Sequence, residues 1–144
     1  MARIVYAPLL LAAGLFSSCS KGSEPVPAPV YLFDQQWLLT QLDGQAVTVT
    51  PGTSAPNLTL SSVDNTSSGH VTCNQYGGTF VLRAGASQLT FSGQASTRAT
   101  CPDQPLETRY LTLLPQVTRY VISHRELRLF GVETGQPLLV FAAK

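Results

Sequence analysis

Residues 70–82, with the sequence HVTCNQYGGTFVL, carry the features that decide the fold. Strand-forming residues occur on both sides of two adjacent glycines, Gly77 and Gly78, so one strand is interrupted and then resumes. Because glycine adopts unusual backbone dihedral angles at little cost, we predict a β-bulge or a sharp bend at this pair. The segment therefore favours a bent sheet.

The chain on either side of this segment predicts further short strands separated by turns. The candidate strands are 37–42, 45–50, 58–63, 70–73, 79–82, 88–92, 119–123, 126–130 and 137–141. The pair Asp43-Gly44 is typical of a tight hairpin, and the polar residues 64–69 predict a loop. Alternation at Leu127 and Leu129 fits a sheet that buries one face.

One helix is predicted after the strand at 88–92. Its apolar stripe at helical spacing consists of Leu106, Tyr110, Leu113, Leu114 and Val117. Asp103 can cap the start of this helix. Pro115 would clash with the carbonyl of Leu111, so regular helix should end near residue 114. These elements predict a mainly β (α+β) domain, a small antiparallel barrel-like or strongly bent sheet with one helix packed on it.

The first eighteen residues have the pattern of a secretory signal. Arg3 precedes the apolar stretch 4–16, which small residues follow. A membrane-spanning helix needs about 20 apolar residues, so this stretch is too short for one. Cys19 comes directly after Ser17 and Ser18 and resembles the acylated cysteine of a bacterial lipobox. We expect cleavage before Cys19 and acylation there, with ordinary cleavage nearby and an unmodified thiol as the alternative.

The charge balance and the segment after Cys19 fit a tethered envelope domain. Loss of residues 1–18 removes Arg3 from 9 Lys and Arg, leaving eight against 8 Asp and Glu. A net charge near zero gives no attraction to nucleic acid. Residues 19–33 contain alternating prolines, which favour an extended tether, and 34–144 form the predicted domain. A multiply acylated cysteine would anchor it to the bacterial cell envelope, at the outer membrane.

Cys73 and Cys101 remain once Cys19 carries lipid. In an oxidising compartment this even pair favours a disulfide. The competing interpretations are a metal pair and a reactive thiol. With only His70 and His124 available and no CxxC spacing, the two cysteines make a poor zinc site, so we expect neither metal nor cofactor.

Several segments resemble, in order and spacing, one bacterial domain family. They are Trp37-x-Leu39 with Gly44; Gly69-x-Val71-x-Cys73-Asn74-x-Tyr76-Gly77-Gly78; Leu89-Thr90-Phe91; Ala95-Ser96-Thr97-Arg98-x-x-Cys101-Pro102 with Glu107; and Leu127-x-Leu129 with Leu138-x-Val140-Phe141. The pattern is similar to the META/HslJ domain. This resemblance implies a compact β-rich fold with one helix on secreted or lipid-anchored bacterial proteins. It also implies links to heat-shock and antibiotic-stress responses and similarity to pilotin lipoproteins, but it supplies no defined reaction.

A search for catalytic residues favours a non-enzymatic protein. Ser123 and His124 are neighbours in a predicted turn, where adjacent side chains rarely converge. The acidic residues are predicted to be solvated or to cap the helix; they are Asp64, Asp103, Glu107, Glu126 and Glu133. None of these positions indicates a carboxylate pair for acid–base chemistry.

Asn74, Tyr76 and Arg98 are the best candidate site residues. Asn74 can satisfy backbone groups at the bend while Arg98 pairs locally near the disulfide. Alternatively, Arg98 with Asn74 and Tyr76 can form a polar rim that binds a peptide or an anionic group. We therefore expect a monomeric module that binds an envelope protein or a hydrophobic ligand such as an acyl chain. The alternatives are a structural or inhibitor-like component of an envelope complex, or an unrecognised hydrolase.

Overall fold

The computed structural model describes residues 31–132 and 135–144. The predicted signal segment, the predicted acylation site Cys19, the predicted tether up to residue 30 and the residue Glu133 lie outside the described residues. No helix in the described ranges has the length and apolar composition needed to cross a bilayer.

Short strands and one α-helix make up the regular structure of the described residues. In chain order they are β1 Gln36–Leu42, β2 Gln45–Ala46, β3 Asn57–Leu60, β4 Thr66–Val71, β5 Asn74–Arg83, β6 Gln88–Ser96, α1 Gln104–Leu113, β7 Arg119–Ser123, β8 Glu126–Phe130 and β9 Leu139–Ala143. Two 3-10 turns, Ala84–Ala86 and Leu114–Gln116, follow β5 and α1.

The strands form one antiparallel sheet in the order β2-β1-β3-β4-β5-β6-β7-β8-β9. In addition, β1 pairs with β9, from Trp37 opposite Ala143 to Leu42 opposite Leu139. The last strand therefore returns to the first, and the sheet becomes ring-like. The predicted mainly β fold, a strongly bent antiparallel sheet with one helix, is confirmed.

The predicted bulge lies at the paired glycines of β5. Gly77 pairs with Ala95 and Thr79 pairs with Ser92, so two residues of β6 stand opposite Gly78 alone. A Cβ atom on Gly78 would lie 2.7 Å from the Ser92 carbonyl oxygen, closer than any side chain permits. The extra β6 residues include a glycine with φ of +61°, Gly93. The sheet bends here because glycine occupies both sides of the irregular pairing.

The antiparallel pairing between β6 and β7 is very short. Within the described residues, these two strands share one residue pair, Gln88 with Arg119. The remainder of β6 has β5 on one side and no strand on the other. Its neighbour there is the 3-10 turn Leu114–Gln116. The structure thus places the end of α1 where the next strand would otherwise continue.

The interior of the ring is filled with large side chains. The largest fully buried ones are Trp37, Tyr110, Phe141, Leu58, Leu60, Leu89, Leu114, Leu127, Leu129, Leu139, Val71 and Val117. The helical stripe supplies Tyr110, Leu114 and Val117 to this single core cluster, which confirms the predicted apolar face. Side chains of the helix therefore occupy the space beneath it that an acyl chain would need.

Several predictions about local structure are wrong. The predicted strand 70–73 is divided by a turn, because β4 ends at Val71 and β5 begins at Asn74. The predicted loop 64–69 becomes strand from Thr66 onward, because its residues pair with β5 up to Val71 opposite Asn74. A polar segment can form a strand here because Ser67 is 1% exposed and accepts a hydrogen bond from the Gln94 amide at 3.0 Å. The predicted strand 45–50 ends at Ala46.

Asp103 precedes α1, but its carboxylate makes no capping bond. It accepts hydrogen bonds from the Thr50 backbone N–H at 3.0 Å and from the Thr50 hydroxyl at 2.9 Å. The backbone bond is the main reason that the pKa of Asp103 is below its usual value. The predicted cap is therefore a tertiary contact, which ties the loop after β2 to the start of the helix.

Candidate functional site

The disulfide between Cys73 and Cys101 is formed. It joins the turn between β4 and β5 to the segment that precedes α1, and the two Cα atoms are 5.9 Å apart, within the usual range for a bridge. This confirms the predicted pairing. Both cysteines are thereby removed as metal ligands and as free nucleophiles.

Glu107, predicted to be solvated, is instead buried beside the bridge, with 2% of its surface exposed. One carboxylate oxygen accepts hydrogen bonds from the Asn74 amide at 2.6 Å and the Gln104 amide at 3.2 Å. The other accepts from the Cys73 backbone N–H at 3.3 Å and the Thr72 hydroxyl at 3.4 Å. A buried carboxylate persists only with such partners, so the prediction for Glu107 was wrong.

A signal for this burial exists in the sequence. Glu107 precedes Tyr110 by three residues and Leu114 by seven, so it shares their helical face. That face is buried in the structure, with both Tyr110 and Leu114 fully inaccessible. An acidic residue on the apolar face of a helix thus indicates a buried polar contact.

Asn74 connects three parts of the chain. Its carbonyl oxygen accepts hydrogen bonds from the Ala99 backbone N–H at 2.6 Å and the Thr97 hydroxyl at 2.8 Å. Its amide donates to the Ala99 carbonyl at 2.9 Å as well as to Glu107. One buried side chain thus fixes the start of β5, the segment after β6 and the first turn of α1 relative to each other.

Tyr76 lies in the core, with 4% of its surface exposed. Its hydroxyl donates to the Asn57 carbonyl at 2.9 Å and lies 2.5 Å from the Tyr110 hydroxyl. Burial raises the pKa of Tyr76. It also raises the pKa of Tyr110, whose side chain is fully buried. Both hydroxyls therefore stay protonated. Tyr76 therefore lies in the core beneath the site and cannot belong to an exposed rim.

Arg98 is exposed, and its guanidinium has no hydrogen bond or ion pair within residues 31–132 and 135–144. It lines a surface depression of about 460 Å³ between the segment after β6 and the helix. The other lining residues are Asn74, Ser96, Thr97, Ala99, Thr100, Gln104, Glu107, Thr108, Leu111 and Thr112. The structure thus brings together two of the three predicted site residues, with Arg98 at the edge and Asn74 at the floor.

A second depression, of about 680 Å³, lies along another face of α1. It shares Gln104, Thr108 and Thr112 with the first and adds Pro105, Arg109, Leu113 and Gln116. Unlike Arg98, Arg109 already has a partner, because its guanidinium pairs with the carboxylate of Asp43. Of these two arginines, the one without a partner among the described residues therefore lies at the first depression.

Ser123 and His124 do converge, contrary to expectation. The Ser123 hydroxyl oxygen lies 3.2 Å from His124 Nδ1 in the exposed turn between β7 and β8. The carboxylate closest in sequence, Glu126, pairs with Arg128, and none in the described part of the chain forms an ion pair with His124. A serine–histidine contact without an orienting third group is a poor catalytic arrangement.

The described residues contain no group of three or more His, Cys, Asp and Glu side chains that could hold a metal ion. His70 is on β4 and His124 follows β7. The His70 Nδ1 atom is buried and has no hydrogen-bond partner among the residues that the structure describes.

Comparisons with known proteins identify a family and similar folds. The family model described as the META domain matches residues 30–144. A comparison with curated proteins gives no significant match. The NMR structure of a protein from Burkholderia xenovorans is similar over 98% of this chain and 99% of that one, with 26% identity and a TM-score of 0.61.

A crystal structure of a DUF4847 family protein from Bacteroides vulgatus is similar over a smaller part. It covers 60% of this chain and 57% of that one, with 17% identity and a TM-score of 0.50. At this identity the likeness concerns the fold alone.

Proposed function

Because this chain belongs to the META domain family, we propose that it is a non-enzymatic binding module of the bacterial cell envelope that recognises another protein. The observation that carries the proposal is the unpaired, exposed Arg98 beside a depression with a rigid floor. A disulfide and a buried carboxylate with four hydrogen bonds hold that floor in place. A surface fixed before binding loses little conformational entropy when a partner arrives.

The chemistry of the depression supports binding rather than catalysis. Both oxygens of Glu107 already accept hydrogen bonds at the floor, so this carboxylate is poorly placed to take a proton from a substrate. The hydroxyls of Thr97, Thr100 and Thr108 around it have no histidine among the lining residues to activate them.

The polar lining also favours a protein segment over an acyl chain. Leu111 is the one large apolar side chain among the residues that line the depression. The interior of the ring, where a fatty acid could be sheltered, is occupied by Tyr110, Phe141 and leucine side chains. Amides, hydroxyls and a guanidinium match the peptide groups of a protein partner.

Anchoring through Cys19 is the second element of the proposal. The apolar segment before it, the small residues at the junction and the proline-rich residues after it support export and acylation. A cysteine with two or more acyl chains holds a protein stably at a membrane. The domain would then act on partners within reach of the membrane surface, in the periplasm or at the outer membrane.

Mass spectrometry of the full chain expressed in a Gram-negative bacterium tests the anchor. We expect a mature protein that begins at Cys19, carries acyl groups and sediments with membranes. The variant Cys19→Ala should lose both the acyl groups and the membrane fraction, whereas the neighbouring variant Ser20→Ala should keep them. A membrane-free wild-type protein with an unmodified Cys19 would contradict the anchor.

Crosslinking in intact cells tests recognition. A partner should be recovered with the wild-type chain and lost with Arg98→Ala. Arg83→Ala is the matched control, because Arg83 is also an exposed arginine but lies at the far end of β5 and outside the lining of the depression. Equal recovery of every crosslinked protein with both variants would refute recognition through Arg98.

A further inference from the structure

The strand β6 has an open edge beside the depression. Thr97 donates its backbone N–H to the Gln75 carbonyl at 3.0 Å, toward β5. Because backbone groups alternate in direction along a strand and Ser96 is opposite Tyr76 in the regular part of the pairing, the N–H and C=O groups of Ser96 point away from β5. Among the described residues no strand lies on that side, since β6 pairs with β7 only at Gln88.

The helix forms the opposite wall of a groove along this edge. The segment from Ser96 to Thr100 and the helical residues from Gln104 to Thr112 line the same depression. The 3-10 turn that ends the helix contacts β6. The helix therefore runs beside the end of this open edge, where residues 94–96, after the bulge, offer roughly 10 Å of strand at about 3.4 Å per residue.

We propose that an extended peptide segment of a partner protein binds in this groove as an additional strand on β6, with a carboxylate of the segment on Arg98. The inference rests on the proposed function and names the form of its ligand. Addition of a strand to a sheet edge is a general mode of peptide recognition, in which backbone hydrogen bonds supply affinity and flanking side chains supply specificity.

Charge complementarity identifies the ligand group. Arg98 follows β6 by two residues and has no partner in the described part of the chain. A guanidinium binds a carboxylate through two parallel hydrogen bonds. The carboxylate oxygens of Glu107 nearby are buried and already accept hydrogen bonds from four donors, so Glu107 does not occupy the Arg98 guanidinium.

Selection from a displayed library of random seven-residue peptides, against the full acylated chain in detergent micelles, tests this inference. Selected peptides should carry a carboxylate, and Arg98→Ala should raise their Kd about tenfold to hundredfold, as expected for a charge-assisted hydrogen bond. Arg83→Ala should leave the Kd unchanged. Failure to enrich any peptide that depends on Arg98 would overturn the inference.

Backbone methylation distinguishes strand addition from other modes of binding. Methyl groups placed on successive peptide nitrogens should weaken binding at every second residue, because alternate N–H groups face β6. Ser96→Pro, which removes an N–H that points away from β5 and spares the β5 ladder, should also weaken binding. A methylation profile without this period of two would overturn strand addition even if Arg98 is required.

Two further experiments show whether the carboxylate is terminal or in a side chain, and whether the bound strand comes from a partner protein or from a second copy of this chain. Amidation of the peptide terminus abolishes binding if the carboxylate is terminal and leaves binding unchanged if the carboxylate belongs to a side chain.

If the chain associates with itself and Ser96→Pro abolishes this association, the edge binds a second copy of the chain. That result would overturn the inference. If a crosslinked partner still depends on Arg98, the proposed function survives the failure of strand addition.

Discussion

Two sides of the ring are held together in different ways. The closed side, formed by β7, β8, β9 and β1, has continuous antiparallel pairing and buries apolar side chains such as Leu129 and Phe141. The open side, formed by β5, β6 and α1, has a single residue pair between β6 and β7. There a disulfide and buried polar contacts replace the missing ladder. The two sides share one apolar core, and the open side has in addition specific bonds that take the place of the missing strand pairing.

The closed side should be the more sensitive to loss of volume. Phe141 is fully buried, and Phe141→Ala should lower the free energy of unfolding by about 3–5 kcal/mol through lost burial and a cavity. Urea unfolding of the disulfide-bonded chain measures this effect. Val63→Ala, at a side chain that is 90% exposed, is the control and should change stability by less than about 0.5 kcal/mol. Similar losses in both variants would show that the burial of Phe141 does not stabilise the closed side.

The open side should depend on its covalent bond. Replacing both Cys73 and Cys101 by alanine should cost about 3–4 kcal/mol, as loop entropy predicts for a separation of 28 residues. Reductant should destabilise the wild-type chain by a similar amount in urea unfolding and should not affect the double variant. Wild-type stability that persists after both thiols are reduced and alkylated would contradict this dependence.

The buried polar contacts should have a local effect as well. Asn74→Ala removes the acceptor of the Ala99 N–H and a donor to Glu107, and should cost about 2 kcal/mol because buried groups lose their partners. Hydrogen exchange at the Ala99 amide should accelerate. Gln75→Ala, at the adjacent exposed residue, should leave that exchange rate unchanged. An Ala99 amide equally protected in both variants would exclude this role for Asn74.

The tyrosine pair beneath the site should make the domain sensitive to alkali. Burial raises the pKa values of Tyr76 and Tyr110, so the unfolded chain releases protons first when the pH exceeds about 10. Below that pH the two protonated hydroxyls make their full contribution to the free energy of unfolding. This contribution is lost as the pH rises through the tyrosine pKa values of the folded state. Ultraviolet titration should show the two tyrosines ionising together with unfolding.

At neutral pH, Tyr76→Phe should cost about 1 kcal/mol, because the hydrogen bond to the Asn57 carbonyl is lost. Tyr31→Phe, at a side chain that is 69% exposed, is the matched control and should leave the unfolding midpoint unchanged. Ionisation of Tyr76 at the pH of an exposed tyrosine, before unfolding, would show that its hydroxyl is solvated.

The sequence predicts the closed side better than the open side, for a physical reason. The predicted strands 119–123 and 126–130 coincide with β7 and β8, because alternation and turn residues are local signals. On the open side, the polar strand β4 was predicted as a loop, since its pairing with β5 was not visible in its composition. The disulfide was predictable because two cysteines remain once Cys19 is assigned to the proposed lipid anchor.

The candidate site was also predictable only in part, because local signals in the sequence do not show contacts between distant residues. Asn74 and Arg98 line one depression, whereas Tyr76 faces the core. The side on which a residue of a bent strand lies depends on the bulge and on partners far along the chain. Glu107 was missed because its bonds to Asn74 and Thr72 span 33 and 35 residues.

The open edge of β6 also affects how the chain behaves when it is crowded. Exposed strand edges can template intermolecular sheets and fibres, and proteins limit this hazard with short, irregular or covered edges. Here the glycine bulge at Gly93 interrupts the edge, and the 3-10 turn after α1 covers its start. The part of the β6 edge that stays exposed is long enough for a few hydrogen bonds with a peptide. It is too short and too twisted to template a growing aggregate.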